Sequence, residues 1–171
     1  TELTGAANPL NGEDVGTLSI PSFGDIDGDG DLDLVSGDAD GTFSYFENTG
    51  TATAPIFTKQ TGGDNPLDGE DVGMRSTPAL GDIDGDGDLD LVVGTSGGEF
   101  SYFKNTGTAM VPVFTATTGV DNPLDGEDVG NRSKPSLGDI DGDGDLDLVA
   151  GEKEGEFYFF ESDGDTGLSS T

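Results

Sequence analysis

Apolar residues along this chain come in short bursts rather than in a long stripe. Ser22-Phe23-Gly24-Asp25-Ile26 runs into an acidic stretch, and Leu32-Asp33-Leu34-Val35 leaves it with apolar residues at alternate positions. Thr42-Phe43-Ser44-Tyr45-Phe46 is a second aromatic run, and Pro55-Ile56-Phe57-Thr58 a third. Clusters of Gly, Asn and Asp separate them, as at Gly37 to Gly41 and Asn48 to Gly50. Short β-branched or aromatic runs bounded by turn residues predict antiparallel strands. No window of about 11 residues carries a helical stripe.

The pattern then repeats. Asp-Ile-Asp-Gly-Asp-Gly-Asp-Leu-Asp stands at 25–33, 82–90 and 139–147, a spacing of 57 residues each time. Asn-Pro-Leu opens at Asn8, Asn65 and Asn122, and Gly-Glu-Asp-Val-Gly at Gly12, Gly69 and Gly126. Tyr45-Phe46 matches Tyr102-Phe103 and becomes Phe159-Phe160. Fixed self-similarity of this kind marks a repeat array. Its units are expected at 1–57, 58–114 and 115–171. Each is predicted to be a four-stranded antiparallel sheet in up-and-down order, with the Asn-Pro-Leu to Asp-Val-Gly stretch as a loop between sheets. One such sheet cannot bury both faces, so the units are expected to pack on one another. Ala54-Pro55-Ile56-Phe57 matches Val111-Pro112-Val113-Phe114, but the third copy ends instead in Ser162-Asp163-Gly164-Asp165 and a Gly/Ser/Thr tail. That departure reads as a terminus of the array.

Composition narrows the chemistry. Among 171 residues there are 36 Asp+Glu against 6 Lys+Arg, and neither His nor Cys. Without Cys there is no disulfide, thiolate nucleophile or Cys-bound zinc. Without His there is no imidazole base and no His-bound metal. A net charge of −30 argues against nucleic-acid phosphate or anionic lipid as partner. No segment approaches the roughly 18 apolar residues of a membrane span, and any export signal is expected to lie outside this sequence. Leu, Ile, Val and Phe make up 39 of 171 residues, close to the roughly 20% below which a highly charged chain stays unfolded. Something must offset the self-repulsion.

The acid is concentrated where an offset is easiest. The first nonapeptide carries carboxylates at alternate positions, on Asp25, Asp27, Asp29, Asp31 and Asp33, with Gly30 at the sixth. The same holds for Asp82, Asp84, Asp86, Asp88 and Asp90, and for Asp139, Asp141, Asp143, Asp145 and Asp147. Hard oxygen ligands in a tight turn suit Ca²⁺ better than Mg²⁺, which retains its waters. About three Ca²⁺ per chain are expected, one per repeat. Side chains would ligate from positions 1, 3, 5 and 9, and position 7 through its backbone carbonyl. Gly30 is expected at positive φ. An EF-hand is excluded by Ser36, Val93 or Ala150 at position 12, where a bidentate Glu is required.

These residues resemble the FG-GAP/VCBS repeat, the blade of integrin α-subunit β-propellers and of many secreted bacterial proteins. The resemblance carries over from Ser-Phe-Gly-Asp-Ile-Asp-Gly-Asp-Gly-Asp-Leu-Asp-Leu-Val at 22–35 and its two counterparts. It implies an all-β fold of three tandem propeller blades, calcium in the loop between the first two strands of each, and ligands drawn from the fifteen Asp named above. It also implies an incomplete ring, because propellers have about 4–8 blades.

The expected function is non-enzymatic: a secreted or cell-surface calcium-binding scaffold or adhesion module. Two alternatives are a head-to-tail subunit of an extracellular filament or surface layer, and a calcium-dependent glycan-binding module using Tyr45, Tyr102 and Tyr158. Partners would be further blades or other copies of the chain, in a closed dimer or a filament, or a glycan or cell-surface ligand. Glu13-Asp14, Glu70-Asp71 and Glu127-Asp128 recur in every unit and read as turn caps rather than a catalytic pair. Arg75 and Arg132 are expected to pair with acidic neighbours. Asn131-Arg132-Ser133 is a lone glycosylation sequon.

Overall fold

A computed structural model describes residues 1–162 and 168–170. Twelve strands form three four-stranded sheets, each antiparallel and each in simple sequential order. The first contains β1 (Ile20–Gly24), β2 (Asp33–Gly37), β3 (Phe43–Asn48) and β4 (Phe57–Gln60). The second contains β5 (Thr77–Gly81), β6 (Asp90–Gly94), β7 (Phe100–Asn105) and β8 (Phe114–Thr117). The third contains β9 (Lys134–Gly138), β10 (Asp147–Gly151), β11 (Phe157–Ser162) and β12 (Leu168–Ser170). The all-β, up-and-down reading therefore holds. The only helical pieces among the described residues are 3₁₀ turns at Gly5–Ala7, Gly62–Asp64 and Gly119–Asp121. No helix among them is long and apolar enough to cross a membrane.

The fourth strand departs from expectation. It begins at Phe57, not Pro55, and runs past the expected unit boundary at 57/58, as β8 does at 114/115. The cause is local. Asn48 Oδ1 accepts the amides of both Gly50 and Ile56, at 3.1 and 2.9 Å. This holds residues 50–56 in a turn, so β3 and β4 pair only from Asn48↔Phe57 onward. In the third copy the divergent Asp163-Gly164-Asp165 segment lies outside the described residues, and β12 completes the sheet by pairing Phe160 with Ser170.

Each sheet shows a different apolar set on each face, because successive side chains alternate. Val35, Phe43 and Tyr45 of the first unit meet Leu91, Val93 and Phe103 of the second, with Leu67 of the connecting segment buried between them. Val92, Phe100 and Tyr102 of the second unit meet Leu148, Ala150 and Phe160 of the third, with Leu124 in the same place. The core thus lies between sheets, as stacked repeats require. Aromatic rings key both junctions: Phe43 stands edge-on to Phe103 at 6.0 Å, and Phe100 to Phe160 at 5.8 Å.

The connecting segments have one shape. In each, the Asn side chain accepts the amide two residues on, to Leu10, Leu67 and Leu124, at 2.9–3.0 Å. This is the Asx turn that Asn before Pro favours. The second and third then tie to the hairpin tip of the preceding sheet through backbone bonds. The amides of Val72, Arg75 and Ser76 donate to the carbonyls of Gly41, Ala39 and Asp38. Those of Val129, Arg132 and Ser133 donate to Gly98, Ser96 and Thr95.

Candidate metal centre

The nonapeptide is the turn between the first two strands of each sheet. It closes through left-handed glycines: Gly28 at φ 70° and Gly30 at φ 94°, with matching values at Gly85 and Gly87 and at Gly142 and Gly144. Gly30 is as expected, while Gly28 at position 4 carries a second positive φ that the sequence reading missed. A side chain at either would be strained. Within the loop the carboxylates fold the backbone around themselves. Asp29 N donates to Asp27 Oδ1, Asp31 N to Asp29 Oδ1, and Gly30 N to Asp25 Oδ2. The second loop repeats these bonds at Asp86, Asp88 and Gly87. In the third, Asp139 instead accepts from Gly142.

This winding gathers three carboxylates per loop. Ligand oxygens of Asp25, Asp27 and Asp29 lie within 4.8 Å of one another, as do those of Asp82, Asp84 and Asp86, and of Asp139, Asp141 and Asp143. Asp25 Oδ1 and Asp82 Oδ1 are buried with no hydrogen-bond partner. A buried carboxylate oxygen with no donor costs free energy unless a cation meets it. The donor set, all hard oxygen, fits Ca²⁺. Bound calcium would supply positive charge and shared coordination where like charges are packed most densely.

Asp31, Asp33 and their counterparts stand outside those triads. Asp33 opens β2, is buried, and works as a latch. Its Oδ2 accepts the amide of Ile26 at 3.1 Å and the phenol of Tyr45 at 3.2 Å, and its Oδ1 accepts the amide of Asn48 at 2.7 Å. Asp90 does the same with Ile83, Tyr102 and Asn105. Asp147 bonds Ile140 and Ser162, and Phe159 there has no hydroxyl. The ninth carboxylate therefore ties the end of the acidic loop to the start of that loop at Ile26 and to β3, whatever else it ligates. Alternating spacing makes all five Asp look alike. Only the position of this one inside a strand distinguishes it.

Electrostatics agree with this division. Burial raises the pKa of Asp33 and Asp90, outweighing their hydrogen bonds, and burial with the charges of Asp29 and Asp25 raises that of Asp27. Burial and the adjacent carboxylates push the phenols of Tyr45 and Tyr102 far above their ordinary range, so both remain neutral donors. Without metal, the fold favours the protonated form of these three Asp. Their contribution is full below the ordinary value of 3.8 and is lost as pH rises through their raised values. In chelator, the melting temperature is expected to rise as pH falls through the raised values of these groups toward 3.8. With millimolar calcium the trend reverses, because protons displace the cation. Thermal melts across pH with EGTA or calcium check this, and identical profiles would contradict it.

The second loop holds one cation of its own. Lys104 Nζ contacts Asp84 and lies 3.8 Å from Asp86, and that bond to Asp84 raises its pKa. The equivalent residues are Glu47 and Glu161. Incoming calcium must share those carboxylates with the ammonium. Lys104→Ala is expected to tighten calcium binding at this loop roughly fivefold, equivalent to about 1 kcal/mol for charges about 4 Å apart in water. Titration of a chain with only the second loop intact measures this, and unchanged affinity would contradict it.

The turn-cap reading of the Glu-Asp pairs holds, and the remaining expectations are corrected. Asp14, Asp71 and Asp128 cap their turns by accepting the amides of Gly16, Gly73 and Gly130 at 2.8 Å. Arg75 and Arg132 make no ion pair among the described residues. They and Leu18 share a left-handed backbone, φ 60–62°. That turn delivers Ser76 and Ser133 into the junctions, where both are fully buried. Tyr45 and Tyr102 are buried within the junction clusters, which closes their faces to stacking sugars. In the sequon, Ser133 is buried and the backbone carbonyl of Asn131 accepts from Lys153.

A family model described as the FG-GAP-like repeat matches residues 25–93 and 82–150. The chain belongs to this family. Each match runs from one acidic loop through the β-strands that open the next unit, so the FG-GAP register coincides with the 57-residue period. A comparison with curated proteins finds no match.

Proposed function

We propose that this FG-GAP repeat chain is a non-enzymatic, secreted or cell-surface module. Its three sheets serve as β-propeller-type blades stapled by calcium, and it acts as a scaffold or adhesion element. The observation that carries this reading is the buried, donor-less carboxylate oxygen of Asp25 and Asp82 inside acidic triads that recur at a fixed period. Loops of this kind in extracellular modules bind with Kd of about 10⁻⁴–10⁻³ M, suited to external calcium.

Equilibrium dialysis with calcium tests it. About three ions per chain are expected at saturation, and about two after Asp25→Asn with Asp27→Asn. Absence of binding at millimolar calcium would remove the proposal.

A further inference from the structure

The two ends of the stack carry opposite halves of a junction that the chain already forms twice. The third sheet turns outward the face that the first and second sheets bury. Phe43 and Phe100 are 8% and 6% exposed, whereas their counterpart Phe157 is 80% exposed, with Phe159 beside it at 41%. The glycines report the same thing. A Cβ on Gly24 or Gly81 would strike Leu89 or Leu146 of the following unit, at 2.7 and 2.8 Å. A Cβ on Gly37 or Gly94 would strike the carbonyl of Ser76 or Ser133, at 2.2 and 2.3 Å. None of these has a left-handed φ, so a close neighbour, not the backbone, excludes a side chain. Their counterparts on the third sheet are also glycine. Gly138 has nothing within 4 Å, and Gly151 meets only the ring of Phe157. Among the described residues no neighbour fills these clearances.

The first unit presents the matching half. Its connecting segment has the shape of the other two, down to the bond from Leu10 N to Asn8 Oδ1. Yet Leu10 is only partly covered, whereas Leu67 and Leu124 are buried, and Ser19 is exposed, whereas Ser76 and Ser133 are buried. Among the described residues the amides of Val15, Leu18 and Ser19 donate to no backbone carbonyl, although their counterparts bind the preceding hairpin tip. At the far end, the carbonyls of Lys153 and Gly155 likewise accept no backbone amide. Phe23, counterpart of Leu80 and Leu137, is 53% exposed.

We infer that the third sheet of one chain docks on the first unit of a second copy, reproducing the internal junction. The Val15, Leu18 and Ser19 amides would reach the Gly155, Lys153 and Glu152 carbonyls. Phe157 would take the place of Phe43 and Phe100, and Gly138 and Gly151 would receive the partner's Phe23, Leu32 and Ser19 side. The contact is head to tail. It closes a ring when two chains use both ends, and extends a fibre when they do not. The occupant is a second copy because the chain carries both complementary surfaces in the register that joins its own units. The inference rests on the stacking alone and does not require the calcium reading.

Sedimentation in millimolar calcium and about 0.15 M salt, where charge is screened beyond about 8 Å, provides the test. Wild type is expected to exceed its 17.4 kDa monomer mass with rising concentration. Gly138→Leu, at an open position, and Ser19→Arg, on an exposed residue, should each weaken association at least tenfold and keep the wild-type circular dichroism. Mixed together, they should form a one-to-one dimer, since each retains the half that the other lost. Phe157→Asp, on an exposed ring, should act like Gly138→Leu. A monomeric wild type up to millimolar protein would overturn the inference, as would Gly138→Leu and Phe157→Asp variants that assemble like wild type. A mixture that stays monomeric would overturn it too. A melting temperature insensitive to calcium would count against the staple while leaving this result untouched.

Discussion

Removing calcium is expected to lower the melting temperature by roughly 8–16 °C. At about ten times Kd, each site contributes about 1.4 kcal/mol through preferential binding to the folded state, so three sites give about 4 kcal/mol. Each kcal/mol moves the melting temperature of a chain this size by about 2–4 °C. The effect is large because the chain has little else in reserve. Its clusters contain few side chains beyond Leu, Val and Phe at the two junctions, and its net charge of −30 opposes compaction. The cation acts where that opposition is worst, against oxygens such as Asp25 Oδ1 that no donor reaches. Calorimetry with EGTA against millimolar calcium reads the shift directly. Equal melting temperatures would show that the acidic turns need no cation.

Asp90→Ala is expected to be the most damaging single substitution, costing roughly 3–6 kcal/mol. Asp90 is fully buried and accepts from Ile83 N at 3.3 Å, Asn105 N at 2.8 Å and Tyr102 Oη at 2.7 Å. Truncation strands three donors, each costing about 1–3 kcal/mol when buried without a partner. It also frees the end of the acidic loop from the start of that loop and from β7. Tyr102→Phe removes one donor and keeps the ring, so a loss of about 1 kcal/mol is expected, leaving the second unit with the arrangement native to Asp147 and Phe159. Urea denaturation of the two variants separates them. An Asp90→Ala chain as stable as Tyr102→Phe would show that the latch does not hold the hairpin together.

Much of the architecture is legible in the residues. Leu32-Asp33-Leu34-Val35 and Thr42-Phe43-Ser44-Tyr45-Phe46 alternate because each strand buries different residues on its two faces, and the observed register pairs Leu34 with Phe46 and Val35 with Tyr45. The acidic loop is legible because Gly and Asp spacing encodes the turn itself. What the sequence hides depends on neighbours distant along the chain. Asn48 delays the fourth strand by bonding Ile56, a contact that propensity does not register. Arg75 reads as half of an ion pair, but its place is set by a left-handed turn that carries Ser76 into the next junction. Asp33 reads as one more side-chain ligand beside Asp25, Asp27 and Asp29, and only burial among Ile26, Tyr45 and Asn48 shows the latch.

Anomalous scattering from crystals grown in millimolar calcium tests the central claim most directly. The account predicts three calcium peaks per chain, one between the carboxylates of Asp25, Asp27 and Asp29, and one in each matching triad. Acidic loops without anomalous density, with Asp25 Oδ1 and Asp82 Oδ1 still lacking any partner, would contradict it.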